Sequence, residues 1–164
     1  MSIPADLHLR KPFTVSTHEA VLTIYYTASC LKKRVDHILD AAGLTDVQFN
    51  LMMLLKDQTS GEQGLSQTEL SEMMLVNRAN ITSLVDRMER AGFVKRRCRK
   101  ADRRCNVIDL TEYGQRIINE IEPLYSSEIS RIMAVLNETD QRRLIETLEC
   151  VRKNILPRPR RKGE

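Results

Sequence analysis

The side chains best able to do chemistry in this chain are cations and amides, and they gather in two neighbouring stretches. Between Lys95 and Arg104 lie Lys95, Arg96, Arg97, Arg99, Lys100, Arg103 and Arg104 against Asp102 alone. That window holds more positive charge than the whole chain, whose net charge is +4, so the remainder is net negative. A cationic patch confined to one segment suits a polyanion, with a solvated charge run as the plain alternative. Just upstream, Arg78 and Asn80 open a polar run that continues through Thr82, Ser83 and Arg87. In a DNA major groove arginine pairs with guanine edges and asparagine with adenine edges, while hydroxyls reach bases or phosphates. Asn77 either caps a helix or joins this group, and Asn80 either reads a base or is a solvated first-turn residue. Ser66, Gln67 and Thr68 offer hydroxyls, an amide and backbone N–H groups to phosphate oxygens, contacts that position without specifying. Double-stranded DNA is the expected partner.

Other chemistries lack support. Cys30, Cys98, Cys105 and Cys150 do not have the C-x-x-C spacing of a zinc site, and His8, His18 and His37 lie far in sequence from the Cys98 and Cys105 pair. No glycine-rich phosphate loop or nucleophile elbow is present, so neither an enzyme nor a metal or cofactor is expected. The N-terminus has no apolar core of a secretory leader, and no apolar run reaches the ~20 residues that span a bilayer. A cytoplasmic protein with reduced thiols and no membrane partner follows as an expectation.

The elements that must position these residues are mostly helical. The chain has 164 residues, 41% of them hydrophobic but only 4% aromatic, enough for one domain with a real core and little suited to a β-sandwich. After an irregular arm with Pro4 and Pro12, Ser16 and Glu19 have the spacing of a capping box that opens a helix running to Ala42 and stopping at Gly43. Its apolar stripe is Leu22, Tyr25, Ala28, Leu31, Val35, Ile38 and Ala42. Thr45 and Gln48 open a second helix ending near Asp57, and Gly61 and Gly64 mark a loop. Ser66 and Glu69 open a short helix with Leu70, Met73 and Met74 on its apolar side. Asn77 caps the next helix, which runs to Ala91 with Gly92 beyond its end. In that helix Ile81, Leu84, Val85 and Met88 fall at i, i+3, i+4 and i+7, which turns Arg78, Ala79, Asn80, Thr82, Ser83, Asp86 and Arg87 outward.

Phe93 and Val94, then Val107, Ile108 and Leu110, flank the basic segment as two short β-prone runs, a hairpin with a charged tip. Thr111 opens a long helix that Pro123 should kink. Thr139 opens the last, with Leu144, Leu148, Val151 and Ile155 in its stripe, before a basic tail from Pro157. A short helix, a tight turn, a second helix and a basic hairpin follow the order of a winged helix-turn-helix, whose second helix enters the major groove. A winged-helix module that binds protein instead of DNA is the alternative that fold alone leaves open.

With these residues on the page, the sequence resembles the multiple-antibiotic-resistance-regulator (MarR) family over nearly its whole length. The resemblance is most specific at Val85-Asp86-Arg87-Met88-Glu89-Arg90-Ala91-Gly92-Phe93-Val94, at Asp102, Arg103 and Arg104 as a D-x-R wing motif, and at Asp109-Leu110-Thr111-Glu112-Tyr113-Gly114. It implies an α+β fold in three segments: an arm and dimerisation helix over 1–44, a winged helix-turn-helix over 45–110, and dimerisation helices with a basic tail over 111–164. It implies a homodimer on a pseudo-palindromic operator, with Arg104 in the minor groove, Asp102 orienting it or bracing the wing, and Arg103 along the backbone. It also implies a regulator, by habit a repressor, released by a small aromatic or phenolic ligand or by cysteine oxidation. Tyr25, Tyr26, His37, Phe49 and Met52 are candidates to line a ligand pocket, or else ordinary dimer and core packing. Cys98 and Cys105 flank the hairpin tip, either as two unpaired thiols or as a redox-labile pair opposed across it.

Overall fold

The computed structural model describes residues 13–59, 64–74, 77–99 and 102–155, and within them not the side chains of Arg78, Arg99 and 102–106. The irregular arm, Gly61, Lys100 and the tail from Pro157 lie outside the described residues.

Helix α1 spans Ser16–Leu39 and continues as a 3-10 turn, Asp40–Ala42, that ends at Gly43 with φ of 64°. The left-handed conformation there is open to glycine without strain. Val15, not Ser16, is the residue in front of the helix, and no side chain caps it. The backbone N–H groups of His18 and Glu19 both donate to the Val15 carbonyl. Ser16 is therefore already helical, and the expected Ser16–Glu19 box does not form.

Helix α2, Asp46–Asp57, starts at the expected Thr45–Gln48 box, with both reciprocal bonds made. Strand β1, Leu65–Ser66, leads into α3, Gln67–Met73, which opens at the expected Ser66–Glu69 box. Helix α4, Arg78–Arg90, is capped by Asn77, whose side chain accepts from the Asn80 N–H at 2.9 Å. Strands β2, Val94–Arg99, and β3, Asp102–Leu110, form the hairpin, and β3 also pairs with β1. The sheet is antiparallel in the order β1-β3-β2.

Helix α5, Glu112–Met133, runs through Pro123. Thr111 caps it, accepting from the Gly114 N–H at 2.9 Å. Helix α6 is Glu138–Ile155. Its cap is Asn137, which accepts from the Asp140 N–H at 3.0 Å while its amide donates to the Asp140 carboxylate at 2.8 Å. Thr139, the expected cap, is inside the first turn. The architecture is thus mostly helical with one small antiparallel sheet.

The residues group into two compact units that divide between Leu124 and Tyr125. The first contains the apolar core: Leu39, Phe49, Leu51, Met52, Leu55, Leu70, Ile81, Val85, Met88, Val94, Val107, Ile108 and Ile118 are almost wholly buried. Burying such side chains contributes about 1.5–3 kcal/mol each before chain entropy is counted. Lys32 joins α1 to α2 through Asp46 at 2.9 Å, and Lys56 joins α2 to α5 through Asn119 and Glu122. Leu39 lies off the predicted stripe of α1, yet it is the buried residue of that helix. On the stripe, Leu22 and Tyr25 are exposed.

In the second unit, the side-chain amide of Gln141 closes the end of α5 by donating to the carbonyl of Leu136 at 2.9 Å. No residue of α6 is buried, and Leu144, Leu148 and Val151 are 39–40% exposed along one stripe. Among the described residues, no single helix is long and apolar enough to cross a membrane.

Candidate nucleic-acid interface

Helix α4 carries the polar first turn singled out in the sequence, and its placement follows from its apolar spacing. Ile81, Val85 and Met88 are fully buried and Leu84 is nearly so, which fixes the opposite face outward. Ala79, Asn80, Ser83 and Arg87 are exposed there, and Thr82 and Asp86 are half-buried. Asn77 is occupied as the cap. The side chain of Arg78 is outside the described residues, although its backbone begins the helix.

Helix α3 meets α4 through a polar contact that the sequence did not reveal: the Thr82 hydroxyl donates to the Gln67 side-chain oxygen at 3.0 Å. Ser66 uses its hydroxyl to accept from the Glu69 N–H at 3.2 Å, and its own N–H donates to the Glu69 carboxylate at 2.7 Å. Thr68 is exposed in the first turn of α3. The helix start is thereby held rigid with Gln67 and Thr68 in its first turn.

The hairpin divides the basic window in two. Its strands are longer than the two β-prone runs suggested, because Lys95, Arg96, Arg97 and Arg99 are themselves strand residues. The first part of the window is engaged internally. Arg96 donates from its backbone to Glu89 at 3.0 Å, and its guanidinium pairs with both Glu89 and Asp86. Arg97 pairs with Asp109. Burial opposes the charge on Arg96, but the hydrogen bonds it donates to Asp86 and Glu89 outweigh it and raise its pKa above the ordinary arginine value.

The second part is the tip. Arg99 faces Asp102 in the backbone register, and Arg103 and Arg104 follow on β3. The side chains of Arg99, Asp102, Arg103 and Arg104, and all of Lys100, lie outside the described residues. Sequence reasoning missed Arg96 as an internal partner. The available signal was the acidic pair Asp86 and Glu89, three residues apart on one helix face.

The base of the hairpin is fixed by a junction of small contacts. Thr111 donates its hydroxyl to the Gly92 carbonyl and its N–H to the Phe93 carbonyl, the latter at 3.0 Å. Gly92 has φ of 80°. Phe93 stacks on Tyr113 with ring centroids 5.4 Å apart, and the Arg116 guanidinium lies over the Tyr113 ring. A Cβ on Gly114 would come within 2.1 Å of the Phe93 carbonyl oxygen, so only glycine admits this approach. A Cβ on Gly64 would meet the Asp109 carboxylate at 2.5 Å, so Gly64, just ahead of β1, lies close against the same hairpin.

The other candidates separate. Phe49 and Met52 are core residues of α2, whereas Tyr25 and His37 are exposed on α1 and Tyr26 is half-buried. In the backbone register Cys98 faces Asn106, with a bulge between Cys98 and Arg99, and the side chain of Cys105 lies outside the described residues. Among the described residues, no group of three or more His, Cys, Asp or Glu side chains could hold a metal ion.

Comparison with known proteins points one way. The model of the MarR family matches residues 44–106. The chain is 30% identical over 131 residues to the HTH-type transcriptional repressor YetL of Bacillus subtilis, covering 77% of each protein. Its fold is similar to that of Sco3205, a MarR family transcriptional regulator from Streptomyces coelicolor solved in complex with DNA. That match has a TM-score of 0.75 at 24% identity and covers 90% of this chain and 94% of the other. It is also similar in fold to CouR from Rhodococcus jostii RHA1 bound to p-coumaroyl-CoA, with a TM-score of 0.74 at 20% identity, over 85% of this chain and 95% of that one.

Proposed function

The chain belongs to the MarR family of DNA-binding transcriptional regulators, and we propose that it works as a cytoplasmic homodimeric repressor released from a pseudo-palindromic operator by a small aromatic ligand. The observation that carries this reading is the division of α4, whose apolar face is fully buried while Asn80, Ser83 and Arg87 stand exposed beside a cationic hairpin in the same compact unit.

In this reading the first turn of α4 enters the major groove, with Arg78 and Asn80 reading base edges and Ser83 and Thr82 beside them. Ser66, Gln67 and Thr68 meet a phosphate at the start of α3, and Arg87 adds a further backbone contact. At the hairpin tip Arg99, Lys100 and Arg103 follow the phosphates, and Arg104, steadied by Asp102, enters the adjoining minor groove, whose negative potential favours a guanidinium. The exposed apolar stripes of α1 and α6 supply the surface for a second copy, which sets two half-sites about 34 Å apart, one turn of the duplex. Repression is supported by the name of the Bacillus subtilis relative, and an aromatic effector by the ligand of CouR.

The test is to select duplexes from a random pool with the purified full chain, footprint the winner and measure mass by light scattering. A dimer protecting two related half-sites, with affinity falling steeply as salt rises, is the expected result. A monomer that selects no duplex at low ionic strength would overturn the proposal.

A further inference from the structure

Arg96 was counted, from its place in the basic window, among the charges that face a polyanion. The structure gives it a different occupation. Its guanidinium and backbone N–H together engage two carboxylates of α4, Glu89 twice and Asp86 once. We propose that Arg96 is a positioning residue for DNA recognition, fixing the direction of α4 relative to the hairpin instead of contacting phosphate. This inference rests on the DNA-binding reading of α4 and the hairpin given above.

The geometry supports it in three ways. First, α4 and β2 are consecutive elements joined by the three residues Ala91–Phe93, so Arg96 on β2 comes back against the last turns of α4 and links the two elements by side chain as well as by backbone. Second, Asp86 and Glu89 are three residues apart, roughly 4.5 Å along the helix axis. Two anchor points separated along an axis fix its direction, which one contact cannot do. Third, the trio is asymmetric in exposure. The Arg96 side chain is 26% exposed, against 47% for Asp86 and 37% for Glu89. The cation is the least exposed of the three and its guanidinium is engaged by both carboxylates. A phosphate there would have to compete with two carboxylates already bonded to the guanidinium. Arginine suits this place because its planar fork can hold two carboxylates at once, whereas lysine is a point charge.

The role separates from a phosphate contact by experiment on the full chain, using a duplex selected from a random pool and a scrambled duplex of equal length and composition. Arg96→Met keeps an apolar stem in the same space and removes the fork. If Arg96 positions α4, this variant loses about tenfold or more on the selected duplex and little on the scrambled one, with the salt dependence unchanged. The Asp86→Asn/Glu89→Gln variant adds positive charge yet releases the clamp. It should bind the scrambled duplex more tightly and the selected one more weakly, a divergence that neither simple electrostatics nor loss of folding produces. Equal losses by Arg96→Met on both duplexes, with the log–log salt slope shallower by about 0.9, would make Arg96 a phosphate contact and overturn the proposal. Tighter binding of both duplexes by the Asn/Gln variant would overturn it as well. The second variant keeps the test decisive if Arg96→Met does not fold. Should the wild-type chain select no duplex, the DNA-binding reading itself fails, and this role for Arg96 falls with it.

Discussion

Thr82 of α4 donates its hydroxyl to the side-chain oxygen of Gln67 on α3 at 3.0 Å, a bond between residues fifteen apart in sequence. It ties the two helices of the helix-turn-helix through a part-buried polar contact. It also engages the Gln67 oxygen, leaving Nε2 as the donor end of the amide. A donor suits a phosphate oxygen, the role proposed for the start of α3. Thr82→Val keeps the shape and removes the bond. The amide then turns freely, and affinity for selected and scrambled duplexes should fall alike, by about 1 kcal/mol, with little change in melting temperature. Fluorescence anisotropy measures both, and unchanged affinity would show that the bond does not orient a contact.

Gly114 provides a test of the hairpin base. Gly114→Ala forces a methyl group toward the Phe93 carbonyl, 2.1 Å from an ideal Cβ, and should lower stability by about 1–3 kcal/mol in thermal unfolding. Gly43→Ala is the comparison, because nothing lies within 4 Å of its added Cβ and only the left-handed φ of 64° is strained, a cost of about 1–2 kcal/mol. Gly114→Ala should melt below Gly43→Ala. Melting of Gly114→Ala at the wild-type temperature would mean that α5 is not seated on Phe93.

Arg104→Ala tests the groove assignment at the tip. Insertion into a narrow minor groove carries shape preference, so the loss should be larger on the selected duplex than on the scrambled one. Replacing Asn80 with Ala should instead relax preference at one defined base position, with about 1–3 kcal/mol lost for a bidentate pair. Equal losses on both duplexes for Arg104→Ala would make it an ordinary backbone contact.

Leu148→Glu tests the second copy. Leu148 is 39% exposed in the stripe of α6, so a carboxylate there is tolerated by a lone chain and rejected by an apolar interface. Light scattering should report half the wild-type mass at micromolar concentration. Operator affinity should fall on the order of 10²-fold or more as the paired half-sites lose their linkage. A variant that keeps its mass would place the interface elsewhere.

These residues show what could be read before folding. Local signals were legible: Thr45, Ser66, Asn77 and Thr111 announce helix starts because each satisfies a backbone donor three residues on, and the spacing of Ile81, Leu84, Val85 and Met88 states which face of α4 is buried. Two starts were misplaced by a residue or two, at Val15 and Asn137, where a neighbouring position took the non-helical backbone. Strand β1 escaped notice because two residues have no period, and its pairing depends on Val107 and Ile108, some forty residues away. The basic run did not read as strand because its ladder is made with β3, not by its own propensity. For the site, the residue types were legible and the partners were not. The Thr82–Gln67 and Arg96–Asp86–Glu89 contacts arise only when separate elements meet, and the bulge after Cys98 is one that composition does not announce.

The sheet order leaves β2 on the outside, with β3 between it and β1. An outer strand with open backbone groups is where chains stick to one another and begin to precipitate. Here that strand bears Lys95, Arg96, Arg97 and Arg99 in a run of six residues. On that margin the Arg96 N–H already donates to Glu89, and Arg96 and Arg97 are paired with carboxylates. A second copy aligning there would have to displace Glu89 and face the charges of Lys95 and Arg99, which disfavours polymerisation along the strand that borders the nucleic-acid face.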